Sequence, residues 1–313
     1  MALRSEARPP LAVRPSLRRR TLADREDWLG RLLLAPALLY VVALVGVPFA
    51  LAVALAFSSA RSGSLEFSWV GWRNFLAIIP DPQFQLALWN TLRFTVISQI
   101  LVTILSIAAA NVLSAAFPGR RAVRFLLLLP WAAPVALAAM AWTWIFDSTF
   151  SVVNWMFLVS GISKRWFYWL GEPTLAMIAI ITVHVWRMFP FATVITLAGM
   201  TSIPQEINEA AVVDGAGFWR RLLEVNLPLL LPIITVAVLF GVVFTSTDLG
   251  VVYLLTRGGP FNSTHVLSSL AFQRGIFGGD LGQGAAVALF LLPVLVLVAI
   301  VMLRTARRVE IGS

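Results

Sequence analysis

Six long apolar stretches constrain this chain more than any other feature of its sequence. They cover residues 32–57, 92–117, 125–146, 175–200, 229–252 and 285–303. A helix that crosses the roughly 30 Å hydrocarbon core of a bilayer needs about 20 apolar residues, since each residue rises about 1.5 Å. With 59% hydrophobic and only 12% charged residues, a water-soluble globule of this length would lack polar surface. We therefore predict an all-α, polytopic membrane protein with about six transmembrane helices.

Two other interpretations of these stretches are less consistent with the sequence. The strands of a membrane β-barrel are short and alternate in polarity, whereas these stretches are continuously apolar. The first stretch follows a basic segment and precedes the small residues Ser58, Ser59 and Ala60, as a secretory signal would. It is longer than the roughly 7 to 15 residues of a signal core, and further spans follow it, so we expect a mature helix. The chain has no cysteine, which excludes disulfides and thiolate metal sites.

The distribution of basic residues predicts how the chain is oriented. Sixteen arginines lie in the N-terminal tail, the second and fourth connections and the C-terminal end, against six basic residues in the other connections. The positive-inside rule therefore places both termini in the cytoplasm. This topology accounts for the net charge of +9 without a nucleic-acid partner. We expect residues 1–27 to be a disordered basic tail held against anionic lipid.

The fourth connection, residues 201–228, has a specific local chemistry. Ser202 and Gln205 match a capping box, and Gly215 suits a left-handed cap that stops the helix. A second short helix is expected over residues 218–224, after which Pro228 opens the fifth span at another angle. The pattern indicates a compact, stiff cytoplasmic projection. On its first helix the small-residue face consists of Ile207, Ala210, Ala211 and Asp214. From periodicity alone, a docking element and a simple well-capped turn both remain open.

A family resemblance adds to this interpretation. Glu209-Ala210-Ala211, then Gly215, then Val225-Asn226-Leu227-Pro228 resembles the EAA signature of permeases in binding-protein-dependent ATP-binding-cassette (ABC) importers, with valine in place of the usual isoleucine. The segments at 90–92 (NTL), 186–191 (WRMFPF) and 255–260 (LTRGGP) are similar to the maltose-type carbohydrate branch of that family. The resemblance covers roughly residues 85–303.

The resemblance implies a type I ABC importer permease fold over residues 28–310, in a bacterial plasma membrane. It also implies that a coupling helix made of Glu209, Ala210, Ala211, Asp214 and Gly215 docks on an ATPase subunit. The implied partners are a second permease, two ATPases, an external solute-binding protein and a sugar. ATP and magnesium would bind the ATPases. This chain is expected to be non-catalytic, because its only lysine, Lys164, is not in a phosphate-binding GxxxxGK[ST] loop.

Several polar groups fall at membrane depth and are candidates for the solute path. Thr245, Ser246, Thr247 and Asp248 could hydrogen-bond sugar hydroxyls, although a frayed helix end explains them equally well. His184 and Arg187 lie one turn apart and are expected to face protein or water, because a charge at mid-membrane is costly. Arg187 either lines the path or pairs with a partner or with broken backbone. Tyr253 is suited to stacking or to interfacial anchoring. By the resemblance, Arg257, Gly258, Gly259 and Pro260 form an external turn facing the binding protein.

Other functions fit the sequence less well. An intramembrane serine protease needs a Gly-x-Ser-Gly nucleophile, which no span contains. An ion-coupled secondary transporter would be expected to carry more carboxylates at mid-membrane and two inverted repeats. Within the importer class, a non-sugar solute such as a glycerol phosphate stays open.

Overall fold

The computed structural model describes residues 26–64 and 67–311, and within them the regular structure is helical apart from an isolated bridge between Ser58 and Trp69. The all-α prediction is therefore confirmed. Residues 1–25, which make up most of the predicted basic tail, lie outside the described residues.

The helices follow one another in this order: α1 Glu26–Val41, α2 Val47–Ala56, α3 Arg73–Ile78, α4 Pro82–Ser114, α5 Arg120–Ala132, α6 Val135–Ile145, α7 Val152–Val159, α8 Pro173–Ser202, α9 Gln205–Val213, α10 Phe218–Arg220, α11 Leu227–Ser246, α12 Gly250–Thr256, α13 Leu267–Phe272, α14 Leu281–Leu289 and α15 Leu292–Ile311. Within the described residues, three π-helical segments continue them: Val42–Gly46 joins α1 to α2, Arg221–Asn226 joins α10 to α11, and Gln273–Phe277 extends α13.

In the described residues, five helical runs are long and apolar enough to cross a membrane: Gly30–Ala56, Pro82–Ser114, Pro173–Ser202, Phe218–Ser246 and Leu281–Met302. The pair α5 and α6 makes a sixth candidate, bent by 95°. The prediction of about six spans is confirmed, and the third predicted span, residues 125–146, is divided between α5 and α6. Ala133 and Pro134 are both extended there, because proline has no N–H and disfavours helical backbone in the residue before it.

Two predicted boundaries also differ from the structure. The second span starts at Pro82 instead of residue 92, because the Asp81 carboxylate accepts a hydrogen bond from the Gln83 N–H and caps the helix. The fifth span starts at Phe218, so Pro228 does not begin a new helix at another angle. In the intervening π-helical segment the Leu227 N–H bonds to the Leu222 carbonyl, and this wider turn carries the helix through the proline.

The described residues fall into two compact units, divided between Ala52 and Val53. The first unit comprises α1, its π-helical continuation and the start of α2. Its apolar side chains are largely exposed, for example Leu33 at 76% and Leu39 at 70%. Such a surface is suited to contact with lipid or with another membrane helix.

The second unit has two apolar clusters. One lies among α4, α6, α8 and α12, and its buried members include Phe94, Ile180 and Val252. The other lies among the end of α2, α3, the start of α4, α13 and α14. An ion pair between Asp81 and Arg274 joins the start of α4 to the π-helical segment after α13. The long helices α4 and α8 pack along each other and against α11, which brings their polar residues together.

Candidate functional site

The helix that carries the predicted solute-path residues is interrupted at Asp248. Helix α11 ends at Ser246, residues 247–249 are not helical, and α12 begins at Gly250. The Asp248 Oδ1 atom accepts a hydrogen bond from the Val251 N–H at 3.1 Å, which satisfies a free donor at the start of α12. Broken helices at membrane depth are found where the backbone is covered by protein or lines a cavity.

His184 links this break to α8. Its side chain is 1% exposed, and its Nδ1–H donates to Asp248 Oδ2 at 2.8 Å. A carboxylate can only accept, so the Nδ1 atom carries the proton in this pair. The other ring nitrogen, Nε2, lies 2.9 Å from Thr245 Oγ1. The Phe94 ring meets the imidazole edge to face, with centroids 4.8 Å apart. The imidazole therefore has a single orientation.

Gln99 extends the same network to α4. Its Nε2 atom donates to Thr245 Oγ1 at 2.7 Å, and that hydroxyl donates to the Gly241 carbonyl at 2.7 Å. A Cβ atom at Gly241 would overlap the Gln99 carboxamide, so glycine permits the close approach of α11 and α4 at this point. One hydrogen-bonded chain, from Gln99 through Thr245 and His184 to Asp248, thus ties α4, α8 and α11 together. We call Gln99, Thr245, His184 and Asp248 the polar network.

A cavity of about 360 Å³ opens beside the polar network. Its wall includes His184, Arg187, Thr247 and Asp248 together with the aromatic rings of Trp131 and Phe244. The Arg187 Nε atom is buried and has no hydrogen-bond partner in the described part of the chain. Charged, hydroxyl and aromatic groups around one cavity are the groups that bind polyhydroxylated molecules.

The structure separates the predicted solute-path residues into two groups. Arg187, Thr247 and Asp248 line the cavity, whereas Thr245 and Ser246 are 0% and 1% exposed and do not line it. Thr245 instead belongs to the polar network. Tyr253 is partly buried against Phe272 and Phe277, with centroids 5.2 and 5.8 Å from its own, and is not part of the cavity wall.

The predicted external turn is a tightly hydrogen-bonded loop over residues 256–266. Arg257 is exposed, with φ 53°, and Gly258 is buried, with φ 85°. A Cβ atom at Gly258 would overlap the His265 imidazole, so a larger residue does not fit there. The Thr264 Oγ1 atom lies 2.9 Å from Thr256 Oγ1 and donates to the Gly259 carbonyl at 2.7 Å. The loop is therefore stiffened by its own side chains.

Sequence reasoning missed the two residues at the tip of this loop. Phe261 is 94% exposed, and both it and Asn262 have positive φ, 53° and 60°. An asparagine in a turn is a weak signal for this conformation, and a phenylalanine gives none. An exposed aromatic ring held in an unfavourable backbone conformation is typical of a contact surface.

Two residues of α4 fix this loop in place. Asn90 Nδ2 donates to the carbonyls of Ser263 and His265 at 2.7 and 3.0 Å. Thr91 Oγ1 accepts from the Leu267 N–H at 2.8 Å and so satisfies a donor at the start of α13. These contacts give Asn90 and Thr91 a structural role. In the sequence the two residues stood out only because the segment 90–92 is similar to the family.

The fourth connection forms the expected projection with a different construction. Gly215 has φ 75°, and the Gly215 and Ala216 N–H groups bond to the Val212 and Ala211 carbonyls, so the predicted left-handed cap is confirmed. The predicted capping box is wrong. The Ser202 hydroxyl donates to the Gly199 carbonyl, and the Gln205 side chain donates to Glu209 Oε1 at 2.6 Å.

The predicted coupling residues do not all share one exposed face. Glu209, Ala210, Asp214 and Gly215 are exposed, whereas Ala211 is 9% exposed and faces the chain itself. The separate short helix predicted for residues 218–224 is wrong as well, because α10 continues through the π-helical segment into α11. The loop therefore presents α9 and its glycine cap, followed directly by a membrane-spanning helix.

The family of this chain is shown by its similarity to known proteins. A family model described as the inner membrane component of binding-protein-dependent transport systems matches residues 102–311. The chain belongs to this family. It is therefore a multi-pass membrane permease of a binding-protein-dependent transport system.

Curated relatives of this permease extend over nearly the whole chain. The trehalose/maltose transport system permease protein MalF of Thermococcus litoralis is 32% identical over 286 residues, 91% of this chain and 96% of that protein. The sulfoquinovosyl glycerol transport system permease protein SmoG of Agrobacterium fabrum is 33% identical, over 91% of this chain and 92% of its own length. A third, the diacetylchitobiose uptake system permease protein DasB of Streptomyces coelicolor, is 30% identical over 84% of this chain.

Solved structures confirm the predicted importer fold. A chain of a bacterial alginate ABC transporter, in complex with an alginate pentasaccharide-bound periplasmic protein, matches the permease with a TM-score of 0.76 and 22% identity, over 93% of this chain and 98% of that one. A bacterial ABC transporter that imports the acidic polysaccharide alginate gives a TM-score of 0.74, also at 22% identity, over 90% of this chain and 95% of its own.

Over residues 26–64 and 67–311 of the permease, no three His, Asp or Glu residues come together as a metal site would require.

Proposed function

We propose that this permease forms half of the translocation pathway of an ABC importer, for a sugar delivered by an external binding protein. The family match over residues 102–311 carries the proposal. The sugar class is supported by the relatives, which are named for trehalose, maltose, sulfoquinovosyl glycerol and diacetylchitobiose. The other half of the pathway comes from a second permease chain.

In this proposal, energy enters through the fourth connection. Two separate ATPase subunits bind ATP and magnesium, and this chain is not catalytic. Helix α9 docks on one ATPase through Glu209, Ala210, Asp214 and Gly215, which are exposed. Ala211 instead holds α9 against the rest of the chain, since it is buried. Closure of the ATPases around ATP moves α9, and the rigid connection of α10 through the π-helical segment to α11 transmits that movement to the membrane.

The solute path in this proposal runs past the cavity beside the polar network. Thr247, Asp248 and Arg187 supply polar contacts there. On the external side, Arg257, Gly259 and Pro260 together with the tip residue Phe261 contact the binding protein, whereas the buried Gly258 only shapes the loop. Both termini and residues 201–228 lie in the cytoplasm, as the arginine distribution indicates.

Reconstitution tests this function. The permease is purified with its partner permease and ATPases, placed in liposomes, and supplied with labelled mono- and oligosaccharides together with the binding protein. We expect sugar uptake that requires both ATP and the binding protein. Uptake that continues without ATP under an imposed proton or sodium gradient would contradict the importer mechanism. ATP-driven uptake of glycerol phosphate in preference to every sugar would contradict the sugar class alone.

A further inference from the structure

Arg187 is a cation at membrane depth whose guanidinium is incompletely bonded within the described part of the chain. It lies on α8, three residues after His184, and lines the cavity. Its Nε atom is buried without a hydrogen-bond partner, and Arg187 is in none of the ion pairs formed by the described residues. A buried charge is unfavourable unless an opposite charge or hydrogen bonds compensate it.

Other arginines close to the membrane-spanning helices have such partners. The Arg93 guanidinium donates to Asn90 Oδ1 and lies over the Trp89 ring at 5.6 Å from its centroid. Arg274 pairs with Asp81. Arg187 differs because it faces a cavity instead of a protein acceptor.

Asp248 lines the same cavity and its charge interacts with that of Arg187, but the two residues form no ion pair in direct contact. Both oxygens of Asp248 are engaged, Oδ2 by the His184 imidazole and Oδ1 by the Val251 N–H. The negative charge of Asp248 thus holds the helix break together. The Arg187 Nε–H therefore remains available to a ligand that enters the cavity.

The rest of the cavity wall suits a sugar ring next to a charged group. The Trp131 ring stacks on Phe191, with centroids 5.5 Å apart and an angle of 17° between the planes, and Phe244 meets Phe191 edge to face at 6.1 Å. These contacts hold an aromatic wall in a fixed position. Aromatic faces pack well against the apolar face of a sugar ring, and a guanidinium binds planar anions through two parallel hydrogen bonds.

We propose that the solute of this importer is an acidic sugar, whose carboxylate, sulfonate or phosphate group is bound by Arg187 while its ring packs against Trp131. This inference rests on the proposed sugar-importer function and narrows it. Arg187 would then distinguish acidic from neutral sugars, and the polar network would position the wall without contacting the anion.

Matched pairs of ligands provide the test. The complete importer, in lipid nanodiscs, is titrated with neutral mono- and disaccharides and with the same molecules in which one hydroxymethyl group is oxidised to a carboxylate, for example cellobiose and cellobiouronic acid. We expect the acidic member of the preferred pair to bind about 10- to 100-fold more tightly, the range typical of a hydrogen-bonded charge. This preference is expected to disappear in Arg187→Gln and to be partly kept in Arg187→Lys. Arg93→Gln, which removes another cation near the membrane, should keep it.

The outcomes separate this inference from the proposed function. Equal or tighter binding of the neutral members, unchanged in Arg187→Gln, overturns the acidic-sugar inference and leaves the sugar importer intact. Loss of the second permease from Arg187→Gln, with no change in ligand preference, also overturns it, because Arg187 would then pair with that subunit. If the importer binds no member of any pair but takes up another class of solute in an ATP-dependent manner, both the acidic-sugar inference and the proposed sugar function are overturned.

Discussion

The imidazole of His184, on α8, donates a hydrogen bond across 2.8 Å to the carboxylate of Asp248, which is 64 positions further along the chain in the break between α11 and α12. Asp248 also starts α12 by accepting from the Val251 N–H. The pair therefore links α8 to the interruption between α11 and α12. If α11 moves relative to α8, this hydrogen bond must lengthen or break unless both residues move together.

A double-mutant cycle on His184 and Asp248 should reveal strong coupling. His184→Gln or Asp248→Asn leaves a buried polar partner without its ion pair, which typically costs about 3–5 kcal/mol. We expect each single variant to unfold at a clearly lower temperature in detergent, and the double variant to lose much less than the sum. The exposed pair Arg220 and Glu224 provides the control, since its cycle should show no measurable coupling. Additive effects at His184 and Asp248 would show that the pair does not act as a unit.

The fourth connection, residues 201–228, offers a test of the proposed docking of α9 on an ATPase. Glu209→Ala should leave membrane insertion unchanged and reduce both ATPase copurification and ATP-driven uptake, because Glu209 is exposed on α9. Gly215→Ala should weaken the end of α9 by about 1–2 kcal/mol, since φ is 75° there and side chains disfavour left-handed backbone. Glu224→Ala removes an exposed acid of the same loop outside α9, and it should behave as wild type. If Glu209→Ala and Glu224→Ala reduce ATPase copurification equally, the loss of any negative charge in this connection would explain the effect, and α9 would have no specific role.

Phe261, at the tip of the loop over residues 256–266, is expected to contact the proposed binding protein without contributing to stability. Phe261 is 94% exposed, so Phe261→Ala should leave the melting temperature unchanged. Its ring is held out by the loop that Asn90 anchors, and we expect the variant to bind the external binding protein at least several-fold more weakly. Phe150, which is 78% exposed in another connection, provides a matched substitution that should have no effect. Surface plasmon resonance with the immobilised importer measures both.

His265 predicts a dependence of stability on pH. Burial under Gly258, and to a lesser degree the charge of Arg274, lower the pKa of His265 from 6.5 to about 4. The folded chain therefore binds fewer protons than the unfolded chain in this range, and the contribution of neutral His265 is complete above pH 6.5 and is lost as the pH falls towards 4. We expect the melting temperature to fall over this interval and the fall to be smaller in His265→Gln. An identical pH profile in the two proteins would contradict this assignment.

The sequence predicted the helical class and the approximate number of spans because an apolar stretch of about 20 residues has few alternatives in a bilayer. Pro134 indicated a kink, but the sequence could not predict that the bend reaches 95°, since prolines in membrane helices are often accommodated without a sharp turn. It also could not predict that α11 continues unbroken past Pro228, because a π-helical segment has no simple sequence signal.

For the candidate site, the sequence predicted some of the residues but not the contacts that give them their roles. Hydroxyls and a carboxylate at residues 245–248 stood out in an apolar stretch, but their roles depend on contacts with distant helices. Thr245 became part of the polar network because Gln99 and His184 reach it from α4 and α8. Phe261 gave no signal at all, since its exposure results from a loop fixed by Asn90, more than 170 positions earlier.

Labelling of single cysteines can show on which side of the membrane α9 and the 256–266 loop lie, because the chain has no native cysteine. Ala210→Cys and Asn262→Cys, both at exposed positions, are labelled with a membrane-impermeant maleimide in intact spheroplasts and in inverted vesicles. We predict that Asn262→Cys reacts only in spheroplasts, and that Ala210→Cys reacts only in inverted vesicles and can be crosslinked to the ATPase. Labelling of Ala210→Cys from outside, or its failure to crosslink to any nucleotide-hydrolysing partner, would contradict the claim that α9 couples this permease to ATP hydrolysis.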